Sequence, residues 1–237
     1  MSIFRAGLVF IMALGGSYHA AHAEDALTTM RIISGDEIAL SDGRTLRLAG
    51  IKADMPEAKS FLETNVTGRA VALQDATQDR YGRTVATVYV EGQNQSLQDE
   101  MLSDGLAFVY PALGNEPQLD AMLQSERAAR QTGRGYWATH SDTPSDDAGK
   151  LYGKYAFVTG AIVKAERVKD KLYLNFGPDW HTAFTVMVAA HDLRAFKNAG
   201  IDLPTWEGKK VRVRGWIKRD FGPRVTVTDP HQIELVP

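Results

Sequence analysis

Apolar residues recur along the first half of the chain with two different periods, and each change of period marks a new element. Alternation predicts strands at residues 30–33 and Glu37–Leu40 around Ser34-Gly35-Asp36, then a hairpin turn at Ser41-Asp42-Gly43-Arg44 and a returning strand over 45–51. Pro56 suits a first helical turn, Ala58, Phe61 and Leu62 share one helix face, and Gly68 closes that helix. Strands follow at 70–73 and Thr84–Val90; in the second, Ala86, Val88 and Val90 share one face. Helical spacing returns over Leu97–Ser103, stopped by Gly105, and over 118–131, where Leu119, Met122 and Leu123 form a stripe before Gly133.

The second half reads as strands with one helix. Alternating runs at 155–164, 171–176 and 184–188 precede a helix near 191–199, which Gly200 ends. Runs at 209–218, 224–228 and 232–236 complete the set, and this order suits an OB-like barrel. In the first of these three, Val211, Val213 and Ile217 point inward. Lys210, Arg212, Arg214, Trp216 and Lys218 then share the outer face. Cations flanking an indole suit single-stranded nucleic acid, with phosphates for the charges and a base on the ring. The same pattern also fits an ordinary basic strand face, with Trp216 covering a barrel end. His181 and His191 are isolated and read as surface or capping residues.

Composition narrows the picture at three points. The 237 residues include no cysteine, which excludes disulfides, thiol nucleophiles and Cys-based metal sites. Arg5, the apolar run 6–15 and Ala21-His22-Ala23 follow the order of a secretory signal peptide over residues 1–23. A monomeric protein exported to the periplasm or the medium, with no membrane span after signal removal, is therefore expected. The near-neutral total of −2 hides two unlike halves. Residues 24–140 carry net −6 and residues 153–237 net +5, joined by a polar stretch, 141–152, that reads as a linker containing Asp142, Asp146 and Asp147.

Several short stretches of the first half form a pattern only when taken together. They are Ser34-Gly35-Asp36-Glu37, Arg47-Leu48-Ala49-Gly50-Ile51, Asp54-Met55-Pro56-Glu57 and Asp79-Arg80-Tyr81-Gly82-Arg83, followed by Gly105-Leu106-Ala107, residues 126–130 and Gly135-Tyr136-Trp137. In order and spacing they resemble the staphylococcal-nuclease-like (thermonuclease) family over roughly residues 28–140. The resemblance implies a mainly β fold with helices (α+β): an OB-type five-stranded barrel with three helices, here followed by the second OB-like barrel. It also implies calcium-dependent hydrolysis of phosphodiester bonds in DNA or RNA. By the same resemblance Asp36 and Asp54 would hold calcium, Glu57 would orient or deprotonate water, Arg47 and Arg83 would clamp the phosphate, and Tyr81 would contact nucleotide. From the residues alone, Asp36 also fits a turn, Arg47 a structural strand cation and Arg83 a hairpin cation. Glu126 and Arg130 read as a structural helix pair.

The chain departs from the family pattern where the metal would sit. Active members carry aspartate directly after the Gly-Ile pair, and this chain has Lys52 there, with two extra residues before Pro56. Two alignments are open. Either Lys52 replaces the aspartate, putting an ammonium in the place of a metal ligand, or Lys52-Ala53 is an insertion and Asp54-Met55-Pro56-Glu57 restores the motif on a bulged strand end. The second recovers the local order and is preferred. Glu37 stands where the family usually has threonine. The alternative to a hydrolase is a nuclease-like module that kept the fold, lost catalysis and binds nucleic acid, protein or envelope polymer.

Overall fold

The computed structural model describes residues 27–111 and 118–236, so the expected signal peptide lies outside the described residues. The first domain is built on a five-stranded sheet in the order β1 (Thr29–Ile32), β2 (Glu37–Leu40), β3 (Thr45–Leu48), β6 (Thr84–Val90) and β5 (Val71–Gln78). Its two outer strands meet. Thr28 bridges Ala70, and the Thr29 and Val71 amides donate to the Arg69 and Leu27 carbonyls, so the sheet curls back on itself.

The strand expected over 45–51 breaks in two. Gly50 takes a φ of 68°, a left-handed conformation that suits glycine, and turns the chain out of the sheet. The residues beyond it form β4 (Ile51–Lys52), which pairs with β7 (Phe108–Val109) as a separate two-stranded ladder. Residue 52 is thereby carried to a rim.

Three helices cover this sheet. α1 (Pro56–Asn65) starts with proline in its first turn and buries Ala58 and Leu62, four residues apart on one face. α2 (Leu97–Ser103) is capped by the Ser96 hydroxyl, which accepts from the Asp99 amide. Its buried Gln98 side chain accepts from the Val88 amide and donates to the Ala86 carbonyl, which also accepts from the Ala49 amide. α3 (Leu119–Gln131) buries Leu119, Met122 and Leu123 as the spacing predicts, each contributing about 1.5–3 kcal/mol by area.

The second domain has its own core. One sheet runs β10 (Lys164–Val168), β11 (Lys171–Asn175), β12 (Thr185–Ala189), β15 (Gly222–Thr226) and β14 (Lys218–Asp220). The other runs β16 (Ile233–Leu235), β13 (Lys210–Trp216), β9 (Tyr155–Ala161) and β8 (Thr143–Pro144). The helix α4 (Leu193–Asn198) lies between the third and fourth long strands, as expected, and buries Phe196. The polar stretch read as a linker is folded instead. Thr143 and Pro144 pair in parallel with β9, and the 3₁₀ turn Ser145–Leu151 sinks Ala148 into the second core.

The two domains share a packed seam. Phe108, Ala129 and Trp137 from the first meet Phe157 from the second, with Phe108 and Phe157 rings edge to face at 5.3 Å. Within the seam Glu126 is fully buried and its carboxylate accepts from Arg214 at 2.7 and 3.0 Å, Arg130 at 3.1 Å and the Val109 amide at 2.7 Å. Arg214 also meets Glu234, and Arg212 spans Asp142 and Glu234. Burial acts to lower the Arg214 pKa, but the Glu126 charge and hydrogen bonds outweigh it and raise it. The strand alternation predicted for β13 holds. Two cations of its outer face are nevertheless taken, which corrects their expected roles: Arg214 is 1% exposed against Glu126, and Arg212 is held by Asp142 and Glu234, so neither is open to nucleic acid.

Candidate functional site

A cavity of about 740 Å³ opens at the rim where β4 leaves the first sheet. Four cations, Arg47, Lys52, Arg80 and Arg83, face four carboxylates, Asp36, Glu37, Asp54 and Asp79, and three aromatic rings, Tyr81, Tyr110 and Trp216, complete the wall. Trp216 comes from the second domain, so both domains build it.

Local structure fixes each charged side chain. Asp36 sits in the tight loop between β1 and β2, where a Cβ on Gly35 would lie 2.2 Å from the Ala53 carbonyl oxygen. Only glycine permits that approach. It sets Asp36 against the rim, and its two carboxylate oxygens are taken: Oδ1 accepts from the Ser34 hydroxyl at 2.9 Å, and Oδ2 accepts from the Ala53 amide at 3.0 Å and pairs with Arg47 at 2.9 Å. Arg47 is equally engaged, donating to the Asp36, Leu48 and Ile51 carbonyls from inside the fold. Its burial lowers the guanidinium pKa from the ordinary value, opposed by the Asp36 and Glu37 charges.

Arg83 directly precedes β6, at the end of a hairpin turn that Asp79 organises. The Asp79 carboxylate accepts from the Tyr81 and Arg83 amides at 2.9 and 3.0 Å and from the Arg83 Nε at 2.7 Å. Partial burial acts to raise the Asp79 pKa, but these bonds hold it below the ordinary carboxylate range. Arg83 also pairs with Glu37. Burial pulls its own pKa down, and the bond to Asp79 with the Glu37 charge carries it above the ordinary value. Tyr81 projects from the same hairpin, exposed, with the Arg80 and Arg83 guanidinium groups 4.8 and 5.2 Å from its ring centre.

The two aspartates expected to hold calcium both line the cavity, each already paired with a cation. Asp54 is exposed and ion-paired with Lys52, whose ammonium lines the cavity. Glu57 stands exposed on the first turn of α1, outside the cavity. Calcium takes ~6–8 oxygen ligands, and among the described residues no group of three or more His, Cys, Asp or Glu is placed to hold a metal ion. To ligate calcium, Asp36 and Asp54 would have to give up Arg47 and Lys52.

Of the residues predicted for the site, the fold brings together Asp36, Arg47, Asp54, Tyr81, Arg83 and Trp216. Lys218 lines an adjoining cavity, and Lys210 lies exposed at the start of β13. Tyr110, Asp79 and Arg80 escaped the sequence reading as site residues. Tyr110 carried no motif, whereas Asp79 and Arg80 lay inside a motif whose turn chemistry could have pointed to them.

Comparison with known proteins finds relatives of the first domain. Residues 47–139 match the family model described as staphylococcal nuclease homologue. A probable staphylococcal-like nuclease of Oryza sativa subsp. japonica is 34% identical over 110 residues, covering 44% of this chain and 31% of the relative. An uncharacterized endonuclease of Haemophilus influenzae is 33% identical over 124 residues, covering 44% of this chain and 66% of the relative. Protein ParB of Escherichia coli is 31% identical over 134 residues, covering 50% and 75%. The chain spans only about a third of the length of the rice relative. With the Asp36–Arg47 pair and the Arg83 hairpin assembled at one rim and this likeness running through the first domain, the chain belongs to the staphylococcal-nuclease-like family.

Proposed function

We propose that the rim cavity binds the phosphodiester backbone of DNA or RNA, with Arg83 and Lys52 meeting phosphate and Tyr81, Tyr110 and Trp216 offering faces to bases. The observation that carries this reading is the convergence of the family's arginine pair with aromatic rings from both domains. The charges are balanced, so any ligand must exchange with an existing ion pair. A phosphate can do so at the surface, because the Lys52–Asp54 and Arg83–Glu37 pairs are reached by water. Calcium would need Asp36, which is buried beneath three donors.

The test is binding of fluorescein-labelled single-stranded DNA and RNA in the presence of chelator, read by anisotropy. Arg83→Ala is expected to weaken binding by about tenfold, the range of one charge-assisted contact. Unchanged affinity would remove the assignment.

A second reading, hydrolysis, is favoured by the retained Asp36–Arg47–Arg83 set and by the nuclease names of the relatives. Incubation of plasmid DNA and single-stranded RNA with the purified protein separates the two. The binding reading expects no degradation that calcium stimulates and chelator stops, and such degradation would establish the hydrolase. For location, the N-terminal pattern supports export to the periplasm or medium, tested by finding whether the mature chain begins near Glu24.

A further inference from the structure

Two aromatic side chains of the second domain face solvent without serving its core. Trp180 is 51% exposed and Phe221 67% exposed, and their rings stand 5.3 Å apart at 73°. Both positions are constructed. The Trp180 loop is tied down by Asp179, whose carboxylate accepts from the His181 amide and the Thr182 hydroxyl at 3.0 Å, and whose carbonyl accepts from the Thr182 and Ala183 amides. Phe221 forms the tip of the β14–β15 hairpin with a φ of 59°, a conformation costly for a bulky L-residue. The next residue, Gly222, lets the hairpin lie directly on the Trp180 loop, since a Cβ there would be 2.6 Å from the Ala183 carbonyl oxygen. Strain and close packing are thus spent on holding an aromatic outward. Beneath it lies a cavity of about 380 Å³ lined also by Tyr173 and Arg224.

Neighbouring residues link this shelf to the rim cavity. Arg224 is the cross-strand partner of Lys218. Lys218 lines the next cavity along, with Trp216 and Tyr110 in its wall, and those two rings also line the rim site. The order along the surface is therefore Tyr81, Trp216, then Lys218 and Arg224, then Trp180 with Phe221. Aromatic faces alternating with cations suit the bases and phosphates of an unpaired strand, whereas a duplex keeps its base faces stacked inside. Glu166 and Asp220 border the shelf, and Asp220 pairs with Arg224, so this is no simple polyanion surface.

We propose that this path is one track for a single-stranded nucleic acid, with backbone at the rim cavity and unpaired bases stacked at Trp216 and on the Trp180–Phe221 shelf. The inference rests on the reading of the rim cavity given above. Its test uses the full mature chain in chelator with labelled oligothymidine of about 20 nucleotides, longer than the ~4–16 that one OB-type face covers, and a duplex of equal length. The single strand is expected to bind about tenfold tighter than the duplex, and Arg83→Ala and the Trp180→Ala/Phe221→Ala pair should each weaken it by about tenfold. Thermal melting should change little in the aromatic pair, because neither side chain belongs to the second core. Lys218→Glu, midway along the path, should weaken single-strand binding as well and so probes the track by a second route. Loss in Arg83→Ala alone leaves the rim reading standing and overturns the track. Loss in the shelf and Lys218 variants alone overturns the rim reading and the track with it. Absence of binding, or equal affinity for duplex, overturns the track as well.

Discussion

Lys52 decides the chemistry of the rim at the scale of single residues. Its ammonium lines the cavity and pairs with Asp54, the carboxylate that the preferred alignment would offer to calcium. Exchanging that charge tests the argument directly. Lys52→Asp frees Asp54 and adds a carboxylate beside it and Asp36, and calcium should then raise the melting temperature by about 2–4 °C, the shift of about 1 kcal/mol of binding linkage in a chain this long. The parent protein should show no such calcium-dependent shift. An equal shift in both would mean that calcium binds without the added acid, and the exclusion based on Asp36 would fail. The Asp36 environment was not legible in the sequence, because the Ala53 amide that binds it comes from a segment whose alignment was open in two ways. The Arg47–Asp36 partnership was closer to view, since both residues belong to the motifs of the first domain and Glu37 faces Arg47 across β2 and β3.

Among elements, the hairpin between β5 and β6 shows how a turn becomes part of a binding surface. Asp79 holds two backbone amides and the Arg83 side chain at once, so the turn geometry and the aim of the guanidinium are one problem. Asp79→Asn keeps a side-chain acceptor for the amides and removes the charge that anchors Arg83. It should lower affinity for single-stranded DNA several-fold, while stability falls by only about 0.5–1.5 kcal/mol. A calorimetric loss well beyond that, with affinity unchanged, would make Asp79 structural only. Strands and helices were readable here because period-two and helical spacing are local properties: α1, α2, α3 and β6 lie where the pattern puts them. The break at Gly50 was hidden, since alternation continues through Ala49-Gly50-Ile51 and only the left-handed φ reveals the turn. Likewise the polar stretch 143–151 lacks any period and still folds, because its order comes from the edge of β9 and not from its own residues.

At the scale of the whole molecule, the opposite charges of the two halves meet at the seam through one buried pair, Glu126 with Arg214. The sequence displayed Arg212 and Arg214 as open cations. Their acidic partners, Glu126 on α3, Asp142 and Glu234, are scattered along the chain and visible as partners only after folding. Removing one partner strands a buried guanidinium, so Glu126→Ala should cost about 3–5 kcal/mol in urea unfolding. Arg127→Ala, which breaks an exposed pair with the same Glu234, should cost no more than about 1 kcal/mol. The seam also carries a titrating contact. His231, beside β16, hydrogen-bonds Asp229 at 2.6 Å and reaches Asp120 of α3 at 3.4 Å. The Asp229 bond, with burial opposing and Asp120 adding, raises its pKa above the ordinary 6.5. A raised folded-state value means that the protonated His231 contributes its full stability below about pH 6.5 and loses it as pH climbs through the higher folded value. The melting temperature should therefore decline across that interval more steeply in the parent than in His231→Gln, which cannot take the proton. Parallel declines in the two proteins would show that His231 does not couple the domains. A decline confined to acid pH would place the governing group among the carboxylates of the seam, where Glu234, pulled below its ordinary range by its arginines despite burial, titrates with the opposite sign.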